Sequence, residues 1–473
     1  MKAIQPTRIQ FLQSTARNAR DRYVLYWMQQ SQRSHCNHAL EYAVQTANHQ
    51  RRPLLVVFGL TETYPEANWR HYTFMLEGLQ DVRRCLTARG IAFRIAMGDP
   101  AKVALKAARH ASTVICDRGY LRHQRQWRHQ VAHEAPCPVI QVESDVLVPV
   151  ETVSAKAEYA ARTIRPKIQK LFPAYLQALR PLKLKQRDLD LAGPVDFAAI
   201  ARRLRVDRGV APVSAFLRGG HTNARKQLKR FTTRNLLNYD RDRNHPSIDS
   251  GSLMSPYLHF GHISPLEILL AVQKADAPPD AKAVLLEELI IRRELAVNYV
   301  FHCPDYDSFE GLPRWSRGTL TEHRHDRRNP EYTKAELEAA ATDDPYWNAA
   351  MLEMKHTGFM HSYMRMYWGK KILQWRPDPE EAFNLTLKLN NKYFLDGRDP
   401  NSYAGVGWIY GLHDQAWKER PIFGKVRYMA RKGLERKFDM PAYTARVRRR
   451  IAQLNGAHPE MANLPDIGVA RKI

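Results

Sequence analysis

Short apolar runs recur along the first third of the chain, each followed by a longer stretch in which apolar residues return every three or four positions. The runs are YVLYWM (Tyr23 to Met28), LLVVFG (Leu54 to Gly59), AFRIAM (Ala92 to Met97), TVICD (Thr113 to Asp117) and VIQV (Val139 to Val142). They are rich in β-branched and aromatic residues and nearly continuous in apolar character, as strands covered on both faces are. Between them, NHALEYAVQTANH and NWRHYTFMLEGLQDVRRCLTARG carry helical spacing. Strand and helix in succession predict an α/β domain with a parallel, Rossmann-like sheet over residues 21–149. After Gly98, Asp99 as cap and Pro100 in the first helical position mark one helix start. Residues 1–20 are polar and basic and predict a flexible arm or a strap, because FLQ is too short to fold alone. Residues 150–200 lose periodicity and gather prolines and lysines, which predicts an interdomain linker with EYAARTIRPKIQKLFPAYL as a docking helix inside it.

Residues 201–473 read as helical almost throughout. Thr222 or Asn223 is suited to cap a basic helix, and Ser264 followed by Pro265 and Glu267 to cap another. AVLLEELIIRRELAVNYVF predicts a strong helix with an inward apolar stripe, beside which stand Glu287, Glu288, Arg292 and Arg293. Surface ion pairing at four-residue spacing is the usual explanation of such charges. From Glu353 to Gln374 there is no proline, and Met360, Met364, Tyr367, Trp368, Lys371, Ile372 and Trp375 recur at three- and four-residue intervals, predicting one long helix. Its aromatic face either fills a core or meets a flat ligand. Arg365, between Met364 and Met366, sits where plain packing calls for an apolar residue, and the Asp-bearing loop LDGRDPNSYAGVGW follows to pair with it.

Composition narrows the class. With 73 Lys and Arg against 48 Asp and Glu the formal charge is +25, so a polyanionic partner, nucleic acid first, is expected. Five dispersed cysteines without a C-x-x-C pair suit reduced thiols in the cytoplasm and go against a structural zinc or a disulfide framework. No apolar run approaches the ~18 residues of a membrane span, and the first residues lack the apolar core of a secretory signal. The glycines of the α/β region form neither G-x-G-x-x-G nor G-x-x-x-x-G-K-[ST], which excludes a conventional dinucleotide or P-loop site there. A ligand in that domain would sit at the strand ends, near Trp27-Met28 or Asp117-Arg118-Gly119-Tyr120, although both segments also suit ordinary strand ends.

Six motifs in order carry a family likeness: SPYLHFG (Ser255 to Gly261), EELIIRREL (Glu287 to Leu295), TGFMHSYMRMYW, LNN, LDGRDPNSYAGVGW and HDQAWKERPIFGKVRYM. Together they resemble the class II cyclobutane pyrimidine dimer DNA photolyases of the photolyase and cryptochrome family, over nearly the whole chain. The resemblance implies an all-α C-terminal domain that holds a bent FAD, with Tyr239 and Gly251, Ser252, Leu253, Met254 and Ser255 at its diphosphate and ribityl end. Arg365 and Asp396 match the ion pair beside the flavin ring, with Gly397 and Arg398 continuing that wall. Asn390 matches the asparagine held against flavin N5, and Asn391 takes that place if the register slips by one. Trp347, Trp368 and Trp375 match the tryptophans that re-reduce the flavin, in an order that spacing does not give.

For the DNA side, the resemblance assigns Arg243 to a lesion phosphate, Glu288 to a pyrimidine carbonyl, and Met366 and Trp408 to a flipped-out dimer, with Arg292 on the same side. Trp417 and Arg427 would enter the bubble left behind. The basic runs KVRYMARKGLERK and ARVRRR either track the DNA backbone or are solvated helix faces. The expected activity is light-driven dimer repair by a monomeric lyase acting on UV-damaged chromosomal DNA, with no obligate protein partner and with a deazaflavin antenna as a further expected cofactor. Two other readings share parts of this evidence. A cryptochrome-like photoreceptor has the same fold and flavin, but the chain ends soon after a predicted helix, where such a receptor carries an added tail. A non-enzymatic basic nucleic-acid-binding protein explains the charge but not the motif order.

Overall fold

The computed structural model describes residues 4–15 and 21–457; the remaining parts of the expected arm and the last residues of the expected helical domain lie outside it. Six strands form one sheet: β1 (Ile9–Gln13), β2 (Tyr23–Met28), β3 (Leu54–Leu60), β4 (Ala92–Met97), β5 (Ala111–Asp117) and β6 (Val139–Val142), in the order β1-β6-β5-β2-β3-β4. β2 to β6 are parallel, each return running through a helix. Alternate side chains of β2 serve opposite layers. Val24, Tyr26 and Met28 pack with Leu40 and Leu79 on one face, while Tyr23, Leu25 and Trp27 pack with Ala104 and Val131 on the other. Burial on both faces is why these strands read as unbroken apolar runs. Asp99 caps the Pro100–Ala108 helix by accepting from the Lys102 amide, with Pro100 in its first turn.

Within the expected arm, Ile9–Gln13 pairs antiparallel with β6 and becomes the sheet's edge strand. FLQ alone was too little to mark it, because a short edge strand takes its stability from its neighbour. Arg8, just before it, is almost fully buried and donates to the carbonyls of Glu143, Val146 and Leu147, which ties this segment to the loop after β6. Inside the linker, Ala161–Tyr175 is helical. Its Arg165 pairs with Glu287 at 2.7 Å.

The second half is helical, with three departures from the periodicity. The basic helix runs His221–Arg230 and is entered through Gly220 at φ +104°, so neither Thr222 nor Asn223 is its cap. The expected long helix is two, Pro345–Thr357 and Ser362–Trp375. Gly358 at φ +67° stops the first, and the turn closes against Leu395, whose amide donates to the Gly358 carbonyl at 3.0 Å. AVLLEELIIRRELAVNYVF contains a wide π-type stretch over Glu287–Arg292, between helical segments Pro279–Leu286 and Arg293–His302. Ser264 does cap Pro265–Lys274, accepting from the Leu266 amide at 3.2 Å.

Polar groups join the two halves. Arg70, on the Trp69–Ala88 helix, donates to the carbonyls of Tyr393 (2.6 Å), Met354 (3.2 Å), Lys355 and Ala211. The Glu294 carboxylate accepts from the amides of Leu147 and Val148, and burial pushes it up to about 7. Gly261 makes a close approach between the halves, since a Cβ built there would lie 1.9 Å from the Gln30 carbonyl oxygen, on a backbone at φ +65°. Gly261→Ala is therefore expected to lower stability by about 2 to 4 kcal/mol, from combined strain and clash. Thermal unfolding of the purified variant measures it, and an unchanged midpoint would show that this contact is not made.

Candidate functional site

The helical half encloses a two-lobed cavity. One lobe is lined by Tyr239, Arg243, Gly251 to Ser255, Glu288, Arg365, Met366, Trp368, Asn390, Asp396 and Gly405, among others. The second shares Tyr239, Ser252, Met254, Ser255, Glu288 and Asp396 with it and extends to Phe231, Leu285 and Arg293. The loop Gly251 to Ser255 reaches it because Leu253 adopts φ +56° and Ser255 opens the helix Ser255–His259. Gly405 leaves the wall open: nothing lies within 4 Å of where its Cβ would stand.

Charge enters this cavity as a pair. Arg365 donates from Nη2 to both Asp396 oxygens at 3.1 and 3.3 Å. Its guanidinium lies 3.8 Å from the Phe394 ring centroid, a stacking that fixes the fork's plane. Asn390 is buried, donates to Ser402 Oγ and Asn391 Oδ1 at 3.0 Å each, and faces the cavity. Asn391 does not line it; its amide serves Glu66 and its carbonyl oxygen accepts from the Arg398 amide. A Cβ on Gly397 would come 2.9 Å from the Asn390 carbonyl oxygen, so glycine lets the loop close on that helix end.

Arg398 is the clearest departure from expectation. Its backbone continues the Asp396 loop, but its side chain faces a different cavity, away from the lobe that Arg365 and Asp396 line. Arg292 likewise stays outside both lobes; it is exposed and pairs with Glu287 at 3.2 Å. Arg243 and Glu288, expected to act on different parts of a ligand, form an ion pair at 2.7 Å on the cavity wall.

Three tryptophans lead outward from the cavity. Trp368 lines it, fully buried, with its Nε1 unpartnered. Trp347 donates from Nε1 to the Trp368 carbonyl at 2.9 Å, and its ring stands 5.4 Å from that of Trp375. Tyr332 follows, 5.0 Å from Trp375 and 9% exposed. In space the three therefore follow one another as 368, 347 and 375, with Tyr332, far from the motif in sequence, packed beyond them.

Trp408 lines neither lobe; its ring has Arg427 at 5.5 Å and the Lys370 amine at 5.4 Å. Arg427 also stacks on Trp417 at 4.1 Å and pairs with Asp414 at 3.1 Å, leaving Trp417 43% exposed. Of the run ARVRRR, Arg446 and Arg450 turn inward onto buried Glu353, so that half is structural rather than a solvated or DNA-tracking face.

A separate cavity lies at the C-terminal ends of β2 and β3, lined by Trp27, Gln29, Phe58, Tyr64, Gln124, Trp127, His259 and Arg398, among others. Of the two strand ends singled out by sequence, Trp27-Met28 lines it. The other is structural: Asp117 accepts from the amides of Gln29, Gln30 and Ser31, and Arg118 pairs with Glu143. All five cysteines are free, and no described helix is long and apolar enough to cross a membrane.

Residues 24–184 match the family model described as DNA photolyase. The chain is 48% identical to the deoxyribodipyrimidine photo-lyase of Methanothermobacter thermautotrophicus, over 94% of this chain and 99% of that protein. It is 40% identical to the protein of the same name from Oryza sativa subsp. japonica, over 95% and 92%, and 39% identical to that from Potorous tridactylus, over 89% and 81%. Among solved structures it resembles a bacterial class III photolyase from Agrobacterium tumefaciens (TM-score 0.69, 18% identity, 94% and 91% covered). A cryptochrome from Synechocystis is similar as well (0.63, 17%, 94% and 90%). At those identities the two structures speak for the fold alone.

Lys370 generates a prediction independent of any ligand. It is fully buried and donates to the Ile409 carbonyl; burial pushes it down to about 7, with Asp414 pulling up and Arg427 pushing down. A depressed lysine stabilises the fold above its unfolded value of 10.5 and loses that contribution as pH falls toward 7. Stability should therefore rise by about 1 kcal/mol per pH unit between those limits. Urea unfolding of the unaltered chain and of Lys370→Met across that window checks it, and equal slopes for the two would refute it.

Proposed function

Because the chain belongs to the DNA photolyase family, we propose that it is a class II cyclobutane pyrimidine dimer photolyase, a carbon–carbon lyase that repairs UV-damaged DNA in the cytoplasm. The observation that carries this reading is the convergence of Arg365, Asp396, Asn390 and Trp368 on one cavity wall. Space and donors there suit FAD: an always-charged fork, an amide, an orphaned indole N–H and a wall opened by Gly405. When bound and reduced, that cofactor supplies a light-excited electron to the dimer and takes it back after both cyclobutane bonds have opened.

The chain's own residues bind and orient. Tyr239 and Gly251 to Ser255 offer hydroxyl and amide groups along the wall shared by the two lobes, where a bent dinucleotide would place its phosphates. Arg365, held by Asp396, favours negative charge on the ring beside it, and the Asn390 amide can donate or accept as that ring's protonation changes. Trp368, Trp347 and Trp375 form a route for an electron hole toward Tyr332 and the surface.

On the substrate side, a dimer must leave the duplex to reach this cavity, and its weakened stacking lowers the cost. Met366 and Trp408 would border it, and Trp417 and Arg427, already stacked, would fill the gap in the helix. DNA binding would open the Arg243–Glu288 pair, freeing Arg243 for a phosphate. Glu288, an acceptor while ionised, suits a pyrimidine N–H and can donate to a carbonyl only when protonated. The cavity beside β2 and β3 would take an antenna, with a deazaflavin as the chromophore of choice.

Two outcomes test this reading. Purified protein carrying reduced FAD should restore dimer-containing oligonucleotides under near-UV or blue light and not in darkness; absence of light-dependent repair overturns it. Trp368→Phe should abolish photoreduction of oxidised flavin while repair by chemically pre-reduced protein persists, and unchanged photoreduction would remove Trp368 from the route.

A further inference from the structure

Asn390 reaches the cavity with only half of its amide free. Its Nδ2 donates twice, to Asn391 Oδ1 and to Ser402 Oγ at 3.0 Å each, so both N–H groups are spent inside the wall. Its Oδ1 makes no hydrogen bond among the described residues and is what the side chain has left for the cavity it lines. The two ends of an asparagine amide are alike in shape, so its partners decide which way it points. Here each partner can play only one role. The Arg398 backbone N–H is a donor, and it holds Asn391 Oδ1 at 2.9 Å. The Glu66 carboxylate takes the Asn391 amide on the other side. An oxygen pinned in this way can meet Asn390 only through an N–H. Ser402 gives its hydroxyl proton to the Asp396 carbonyl at 2.9 Å, which leaves its lone pairs for the second N–H of Asn390. Turning Asn390 over would set oxygen against oxygen and forfeit both bonds.

The far end of this chain of bonds belongs to the other half of the molecule. Glu66 stands in the segment between β3 and the Trp69–Ala88 helix, exposed, with its backbone at φ +54°, an uncommon conformation for a residue other than glycine. Two residues on, the Asn68 side chain donates to the Lys392 carbonyl at 2.7 Å, so the segment is held against the end of the helix that carries Asn390 and Asn391. Asn391 itself is fully buried and lines neither lobe. It touches the occupant of the cavity only through Asn390.

We propose that Asn391, pinned between Glu66 and the Arg398 amide, is a positioning residue that makes Asn390 offer the cavity an acceptor and no donor, so that the wall selects the reduced form of a flavin. The inference rests on the flavin reading above and adds to it the redox form that is preferred and the residue that sets the preference. An oxidised isoalloxazine carries a bare acceptor nitrogen in its central ring, and a reduced one carries an N–H there. Facing a fixed carbonyl oxygen, the first is left unpaired and the second is bonded.

The test is a reductive titration of the full-length, FAD-containing protein against a dye of known potential, with the midpoint of the bound flavin read from its absorption. Asn391→Leu keeps the volume and removes the acceptor that holds Asn390. The reduced form should then lose about tenfold of its advantage over the oxidised form, a midpoint about 30 mV lower for the two-electron couple. Ser402→Ala, which frees one N–H of Asn390, should move the midpoint in the same direction and by less. A role in packing alone weakens both redox forms alike, so FAD content falls while the midpoint stays. An unmoved midpoint in the variants therefore overturns the proposal, whatever happens to FAD content. If Asn391→Leu does not fold, the midpoint of Ser402→Ala decides by itself. If the unaltered protein takes up no FAD, the flavin reading fails with it.

Discussion

One guanidinium holds the two halves of the molecule in register. The last carbonyls of any helix lack partners within it, and here two helices, Pro345–Thr357 and Pro379–Tyr393, end against the interior. Arg70 reaches from the α/β half to take Met354 and Lys355 from the first and Tyr393 from the second. A cation at two helix C-termini also complements their dipoles, which helps it remain charged although burial pushes it down to about 9. Lysine would not serve, because one ammonium cannot present the fork that spans three carbonyls and Ala211 besides. The first helix carries Trp347 and the second Asn390, so the cavity wall and the packed tryptophans inherit their relative position from a residue outside the helical half.

The parallel sheet was readable in the sequence because burial on both faces leaves a continuous apolar run, and five strands fall where those runs lie. Caps were readable where a polar residue precedes a proline, as at Asp99 and Ser264. What escaped depends on tertiary contact. Ile9–Gln13 becomes a strand only through β6, and the break at Gly358 needs Leu395, far along the chain, to close it. Periodicity carried straight through that glycine because Met360 and Met364 stay apolar on either side of the turn. Family likeness brought together most of the cavity wall, from Tyr239 to Asp396. It misjudged Arg398, since motif position fixes a backbone and not the direction in which a side chain leaves it.

The formal charge of +25 is not simply a surface coat. Arg8, Arg33, Arg70 and Arg398 are almost wholly buried, and most serve as multi-pronged donors to carbonyls or single carboxylates inside the fold. Arg446 and Arg450 do the same at Glu353, fastening the terminal helix Met440–Ala457 beneath the Asp249 loop. Part of the arginine excess is therefore architectural. The exposed remainder, with Arg427 beside Trp408 and Trp417, is what a polyanion would meet.

A single short loop, Leu395 to Asp399, separates the two cavities, with the Asp396 carboxylate facing one and the Arg398 guanidinium facing the other. Gly397 between them tolerates no side chain. Such a partition behaves as a party wall: a drift in sequence that suits the tenant on one side disturbs the tenant on the other. A substitution that reshapes this loop for one cavity is therefore felt in the wall of the other.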